Sequence, residues 1–208
     1  MLLRITAKHQ TKPMLMKINR NTFWTLTLAA AFAFVACEPK NKAEDSKDVA
    51  EEQNEAKFED SEIEDDTEWA VAVADLGMME VEASRLAIER ATTPAVKQFA
   101  QSMIDDHSKA NEELKGLASQ KNISLPGVLS DKSQKKYNDL MEKTGKDFED
   151  AYTDCMVKDH KEAVDKFKKQ AEKGEDADLK SWAAGKVATL EHHLEMAKAT
   201  EKTVDEIK

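Results

Sequence analysis

Only two cysteines occur in 208 residues, so no disulfide framework can brace this chain. Six glycines and four prolines are too few for a collagenous or Pro/Gly-rich polymer, and too few for the turns of most sheet architectures. Basic charge is short as well: 31 Lys+Arg stand against 41 Asp+Glu, for a formal net charge of −10. A nucleic-acid binder needs a basic face to meet phosphates, and this balance argues against one. Also missing are a Gly-rich phosphate loop, a nucleophile elbow and the paired-histidine helix motif of zinc proteases. The length suits one domain with extensions.

The first extension reads as an address. Residues 1–36 carry Arg4, Lys8, Lys12, Lys17 and Arg20 and no acidic side chain. Lys17 and Arg20 precede an apolar run from Phe23 to Ala36, which Cys37 closes. A charged start, an apolar stretch too short to span a bilayer comfortably and small residues before a cut make an export signal. The sequence Phe34-Val35-Ala36-Cys37 resembles the bacterial lipoprotein signal, with Phe34 where leucine is usual. That resemblance implies that Cys37 carries a diacylglyceryl group on sulfur and becomes the mature N-terminus. The alternative is an uncleaved signal anchor ending in an incidental cysteine. On the lipoprotein reading the partner is a membrane, held through acyl chains with no transmembrane helix. The expected location is the cell envelope, at the outer membrane, with the domain in the periplasm or at the cell surface. Cys155 is then the one remaining thiol and reads as a small buried hydrophobe.

Residues 37–67 follow as an acidic stretch with few apolar side chains, which is expected to stay disordered and act as a tether. From Trp69 the pattern changes to helical periodicity, and 68–208 is the expected folded domain. A first helix over 68–92 carries Leu76, Met79, Ala83 and Leu86 on one stripe. Thr93-Pro94 stops it and restarts a second over 94–120, with Thr93 as cap and Pro94 at the first position. A shorter helix is expected over 131–143. Two long ones then span 146–172, with Phe148, Tyr152 and Met156, and from about 176 to the C-terminus, with Leu179, Ala183, Leu190 and Ala197. Four long amphipathic helices without a strand signal predict an all-α four-helix bundle.

The second and third long helices echo each other at an offset of 53 residues: Met103, Asp106, His107 and Ala110 align with Met156, Asp159, His160 and Ala163. His107 falls about 35° from the centre of its apolar stripe at 3.6 residues per turn, so it faces inward, and His160 follows. His193 flanks Leu190 and Leu194 on the last helix, and Glu80 and Glu82 sit on opposite shoulders of the first. Each helix thus offers a nitrogen or oxygen donor to the interior, where bundle proteins build carboxylate–imidazole metal sites. The candidate ligands are Glu80, Glu82, His107, His160 and His193. Asp106 and Asp159 are candidates to accept from the far nitrogens of ligating rings. Neutral imidazole and carboxylate suit Zn, Fe, Cu or Mn. The alternative is a hydrogen-bonded network that only fixes helix register.

The strings Gly77-Met78-Met79-Glu80-Val81-Glu82, Val96-Lys97-Gln98-Phe99-Ala100, Met103-Ile104-Asp105-Asp106-His107 and Leu190-Glu191-His192-His193-Leu194 occur in order. In their spacing they resemble the bacterial domain-of-unknown-function family 4142, over about 68–200. The resemblance implies a ferritin-like bundle and an envelope location, and supplies no activity. The Glu-x-x-His signature of di-iron bundles is absent: Ile104, Val157 and Leu190 stand three residues before the histidines. A metal-dependent redox enzyme is therefore disfavoured. The expected function is an envelope lipoprotein that binds a metal ion or a protein partner. A purely structural or interaction module is the alternative.

Overall fold

The structure, a computed structural model, describes residues 44–207. The expected signal segment and Cys37 lie outside them. Six helices make up the described chain, with no strand: α1 Ser46–Phe58, α2 Glu64–Arg90, α3 Pro94–Gln120, α4 Asp131–Met141, α5 Gly145–Lys173 and α6 Ala177–Asp205. The four long ones form an all-α bundle. α2 pairs with α3 and α5 with α6 through short turns, while α2 also packs on α5 and α3 on α6. The one long crossover, from α3 to α5, contains α4. No described helix is long and apolar enough to cross a membrane.

The disorder expected over 37–67 is overturned from Ser46 onward, where α1 forms and α2 begins four residues ahead of the expected position 68. Composition predicts disorder because this stretch has little apolar surface to bury. α1 docks by a different means, using polar side chains on a loop backbone. The Asn54 amide is buried and pairs with both backbone groups of Ser124, donating to its carbonyl at 2.9 Å and accepting from its N–H at 2.7 Å. Lys57 donates to the Asn122 carbonyl at 3.0 Å, and Ser46 Oγ accepts from Gly127 N–H at 3.0 Å. Asp45 caps α1 through Lys47 N–H at 2.8 Å and accepts from Asp131 N–H at 2.6 Å.

Three buried carboxylates fix the connections, and with them the register of the long helices. Asp66 on α2 accepts from Gln170 at 2.7 Å and from the amides of Glu175 and Asp176, holding the α5–α6 turn. Asp75 accepts from the Ser130 amide at 2.8 Å and from the Ser130 and Ser133 hydroxyls, anchoring the start of α4. Glu149 on α5 takes the Thr93 amide at 2.9 Å together with the Thr92 amide and both threonine hydroxyls. Thr93 does sit at the cap position of α3, but its hydroxyl donates to Glu149 and caps no α3 amide. Charge-assisted bonds of this kind contribute about 1.5–3 kcal/mol each when buried.

The apolar core lies in layers above and below the middle of the bundle. One layer holds Met79, Met103, Met156, Phe99, Phe148 and Tyr152, all essentially inaccessible. The methionines act there as core filler. The other holds Ala163, Phe167, Ala183 and Leu190, packed against Trp69 and Trp182. Between them α2 and α3 approach closely at Gly77. A Cβ at this position would stand 2.2 Å from Asn111 Oδ1, so only glycine leaves that side chain its place.

Candidate metal centre

Between the two apolar layers, one helical turn beyond Met103 and Met156, the bundle places polar groups. α3 supplies His107, α5 His160 and α6 His193, and their rings form a nearly equilateral triangle with centroids 5.4, 5.2 and 5.5 Å apart. One nitrogen from each lies within 4.8 Å of the others. α2 contributes Glu80, which is 2 % exposed; His160 and His193 are buried and His107 nearly so.

The partners of the outer nitrogens decide where the lone pairs point. His160 Nδ1 lies 2.9 Å from the Met156 carbonyl, which can only accept, so Nδ1 carries the proton and Nε2 is bare. His193 Nε2 donates to Asp106 Oδ2 at 2.9 Å, which leaves Nδ1 bare, buried and without a partner. His107 Nδ1 lies 3.1 Å from Glu80 Oε2, and its Nε2 lies 3.3 Å from His160 Nε2. With Glu80 ionised, Nδ1–H of His107 donates outward and Nε2 is bare too. Each ring then has one bare nitrogen free to ligate.

Burial holds the charges down. It pushes His107 well below the ordinary histidine range, with His160 and His193 adding to the effect. It takes His160 down to about 4, again with His193 contributing. His193 is lowered by burial in spite of Asp106. All three rings are therefore neutral at pH 7 and able to ligate. Burial raises Glu80 well above the carboxylate range, and Asp159 adds to this while Lys136 opposes it. Without a cation, a neutral Glu80 can donate to His107 Nδ1, and His107 Nε2–H can donate to His160 Nε2. A cation on the three nitrogens displaces that inner proton and leaves Glu80 ionised behind His107.

A cation at this point would meet three imidazoles, each oriented by an acceptor at its far nitrogen: Glu80 for His107, the Met156 carbonyl for His160 and Asp106 for His193. That is how metal-bound histidines are normally held. Three neutral nitrogens with no thiolate suit Zn, Cu, Fe or Mn in the divalent state.

Two of the expected residues stand elsewhere. Glu82 is exposed and its nearest partner is Arg85, at 3.7 Å. It lies two residues from Glu80, about 200° around the helix, so the two cannot both face inward. Asp159 meets no histidine; it binds Lys136 of α4 at 2.7 and 2.9 Å and accepts from the Cys155 thiol at 3.4 Å. Its expected part at His160 is taken by the Met156 carbonyl, for which a sequence holds no signal. Lys136 went unnoticed for a similar reason, since nothing along the chain links α4 to α5. Cys155 is half-buried, and burial beside Asp159 pushes its thiol far above the range of a reactive cysteine.

Over residues 48–200 the sequence matches the family described as Domain of unknown function (DUF4142). The chain belongs to that family. No curated protein and no solved structure matches it. The DUF4142 match begins inside α1, so this helix lies almost wholly within the family domain. Glu80 and the three histidines lie within it as well.

Proposed function

We propose that this DUF4142 domain binds one divalent transition-metal ion through His107 Nε2, His160 Nε2 and His193 Nδ1. Glu80 and Asp106 supply the compensating charge. The observation that carries this reading is the cluster of three rings, one nitrogen of each within 4.8 Å of the others, whose opposite nitrogens are all engaged. A structural network is the second reading, favoured by the closed chain from Glu80 through His107 and His160 to the Met156 carbonyl. One buried atom weighs against it: His193 Nδ1 has no hydrogen-bond partner, whereas Glu80 Oε1 lies 3.5 Å from His160 Nδ1. Leaving a buried polar atom unsatisfied costs about 1–3 kcal/mol, which a pure register device has no reason to bear.

The site is proposed to work in the cell envelope, on a chain acylated at Cys37. The support for this is the basic segment and apolar run that end in Phe34-Val35-Ala36-Cys37. Metal content decides between the first two readings. After incubation with Zn, Fe, Cu or Mn salts and removal of excess, the full chain should retain about one equivalent of one of them. The His107→Ala/His160→Ala double variant should retain none while keeping its helical signal. No retention under any loading, or equal retention by the double variant, would sink the metal reading.

A further inference from the structure

One side of the histidine triangle faces a cavity of about 140 Å³. His107, His193 and Glu80 line its inner end. The walls are largely apolar, built by Val73, Leu76, Phe167, Trp182 and Leu190. Trp182 is held in place, since its Nε1–H donates to Glu113 Oε2 at 3.0 Å. Two lysines, Lys109 and Lys186, also border the space. Lys186 is committed to the same Glu113 and lies over the Trp182 ring at 5.6 Å, and Lys109 is exposed to solvent.

We propose that a metal held by the three histidines presents an open coordination position to this cavity, and takes there the donor atom of a small, largely apolar molecule. This rests on the metal-binding reading above. Three protein ligands leave a position free on a metal that prefers four, which is the pattern of sites that act on a further ligand. Size sets the first limit: an apolar cavity of about 150 Å³ admits benzene. Polarity sets the second: the walls are largely apolar, so a small hydrophilic anion leaves them unfilled. A nitrogen or sulfur donor on a ring-sized body meets both limits.

The test uses the full chain loaded with Co2+, whose visible bands report its coordination. Pyridine is the probe, being the size of benzene with one neutral donor; azide and formate are the anionic controls. Ala110 and Thr189 border the cavity at partly exposed positions, so Ala110→Phe and Thr189→Phe should narrow it without disturbing the core. The expected result is a saturable shift of the cobalt bands by pyridine. Each anion should need a concentration at least about tenfold higher, and at least one Phe variant should keep its cobalt while binding pyridine about tenfold more weakly. If no cobalt is bound, the metal reading itself fails. If cobalt binds but pyridine leaves its bands unmoved, or the anions bind as readily, or both filled variants respond like the parent, the cavity proposal alone is overturned.

Discussion

Asp106→Ala separates metal binding from folding more cleanly than removal of any ligand. Asp106 accepts from His193 Nε2 at 2.9 Å while half of its own side chain remains in water, 53 % exposed. Its loss leaves the His193 ring in place against the rings of His107 and His160, but removes the acceptor that keeps the proton on Nε2 and Nδ1 bare. Losing an outer partner of a ligating histidine typically weakens metal binding 10–100-fold. Water can reach this position and partly replace the carboxylate, so the expected effect is the lower figure, about tenfold or about 1.4 kcal/mol. Loss of one hydrogen bond at a position that water can reach costs about 0.5–1.5 kcal/mol, and that bounds the cost to the metal-free fold. Competition titration against a chromogenic chelator measures the first quantity, and urea unfolding of the chelated protein the second. Unchanged metal affinity would refute the assignment of Asp106 as the partner of a ligating ring.

Three further predictions follow from other parts of the chain. Burial alone would raise the Glu149 carboxyl, but the Thr93 hydroxyl and amide and the Thr92 amide and hydroxyl outweigh it and hold it below the ordinary range. Its contribution is therefore present above the unfolded value of 4.5 and is lost as pH falls through the lower folded value. Between pH 6 and 3 the urea midpoint of the metal-free parent should drop further than that of Glu149→Gln, and parallel declines would contradict the assignment. Asn54→Ala strands the N–H and carbonyl of Ser124, and should cost about 1–3 kcal/mol. It should also speed amide exchange at Ser124 and through α1; unchanged exchange would mean that α1 is not docked by this amide. Cys37→Ser should abolish labelling by radioactive palmitate and release the chain from the membrane fraction, whereas continued labelling would exclude Cys37 as the acylated residue.

Most of the bundle was legible because its punctuation is local. Thr93-Pro94 predicts the start of α3 at Pro94, where it is found, and the apolar stripes predict the remaining long helices to within four residues at either end. The 53-residue echo brought His107 and His160 forward as a pair, and their Nε2 atoms stand 3.3 Å apart. The same echo misled for the aspartates. Asp106 looks across to α6, but Asp159 meets α4, an element outside the repeat, and spends its charge on Lys136. α1 was illegible for a different reason. Its docking residues, Asn54, Lys57 and Ser46, bind the backbone of a loop roughly 70 residues away in sequence, and a scale of apolar burial assigns that no value. Glu82 shows the limit of helical arithmetic near the edge of a stripe: two flanking glutamates look equivalent until packing fixes the rotation of the helix.

The central claim is that three imidazole nitrogens, and no more than three side chains of this protein, bind one metal ion. X-ray absorption spectroscopy on the loaded full chain tests it most directly. The account predicts three imidazole ligands at about 2.0–2.1 Å for zinc, with the outer-ring scattering that marks histidine and the remaining position filled by a light atom. One imidazole or none, or a shell dominated by carboxylate oxygen or by sulfur, would contradict it.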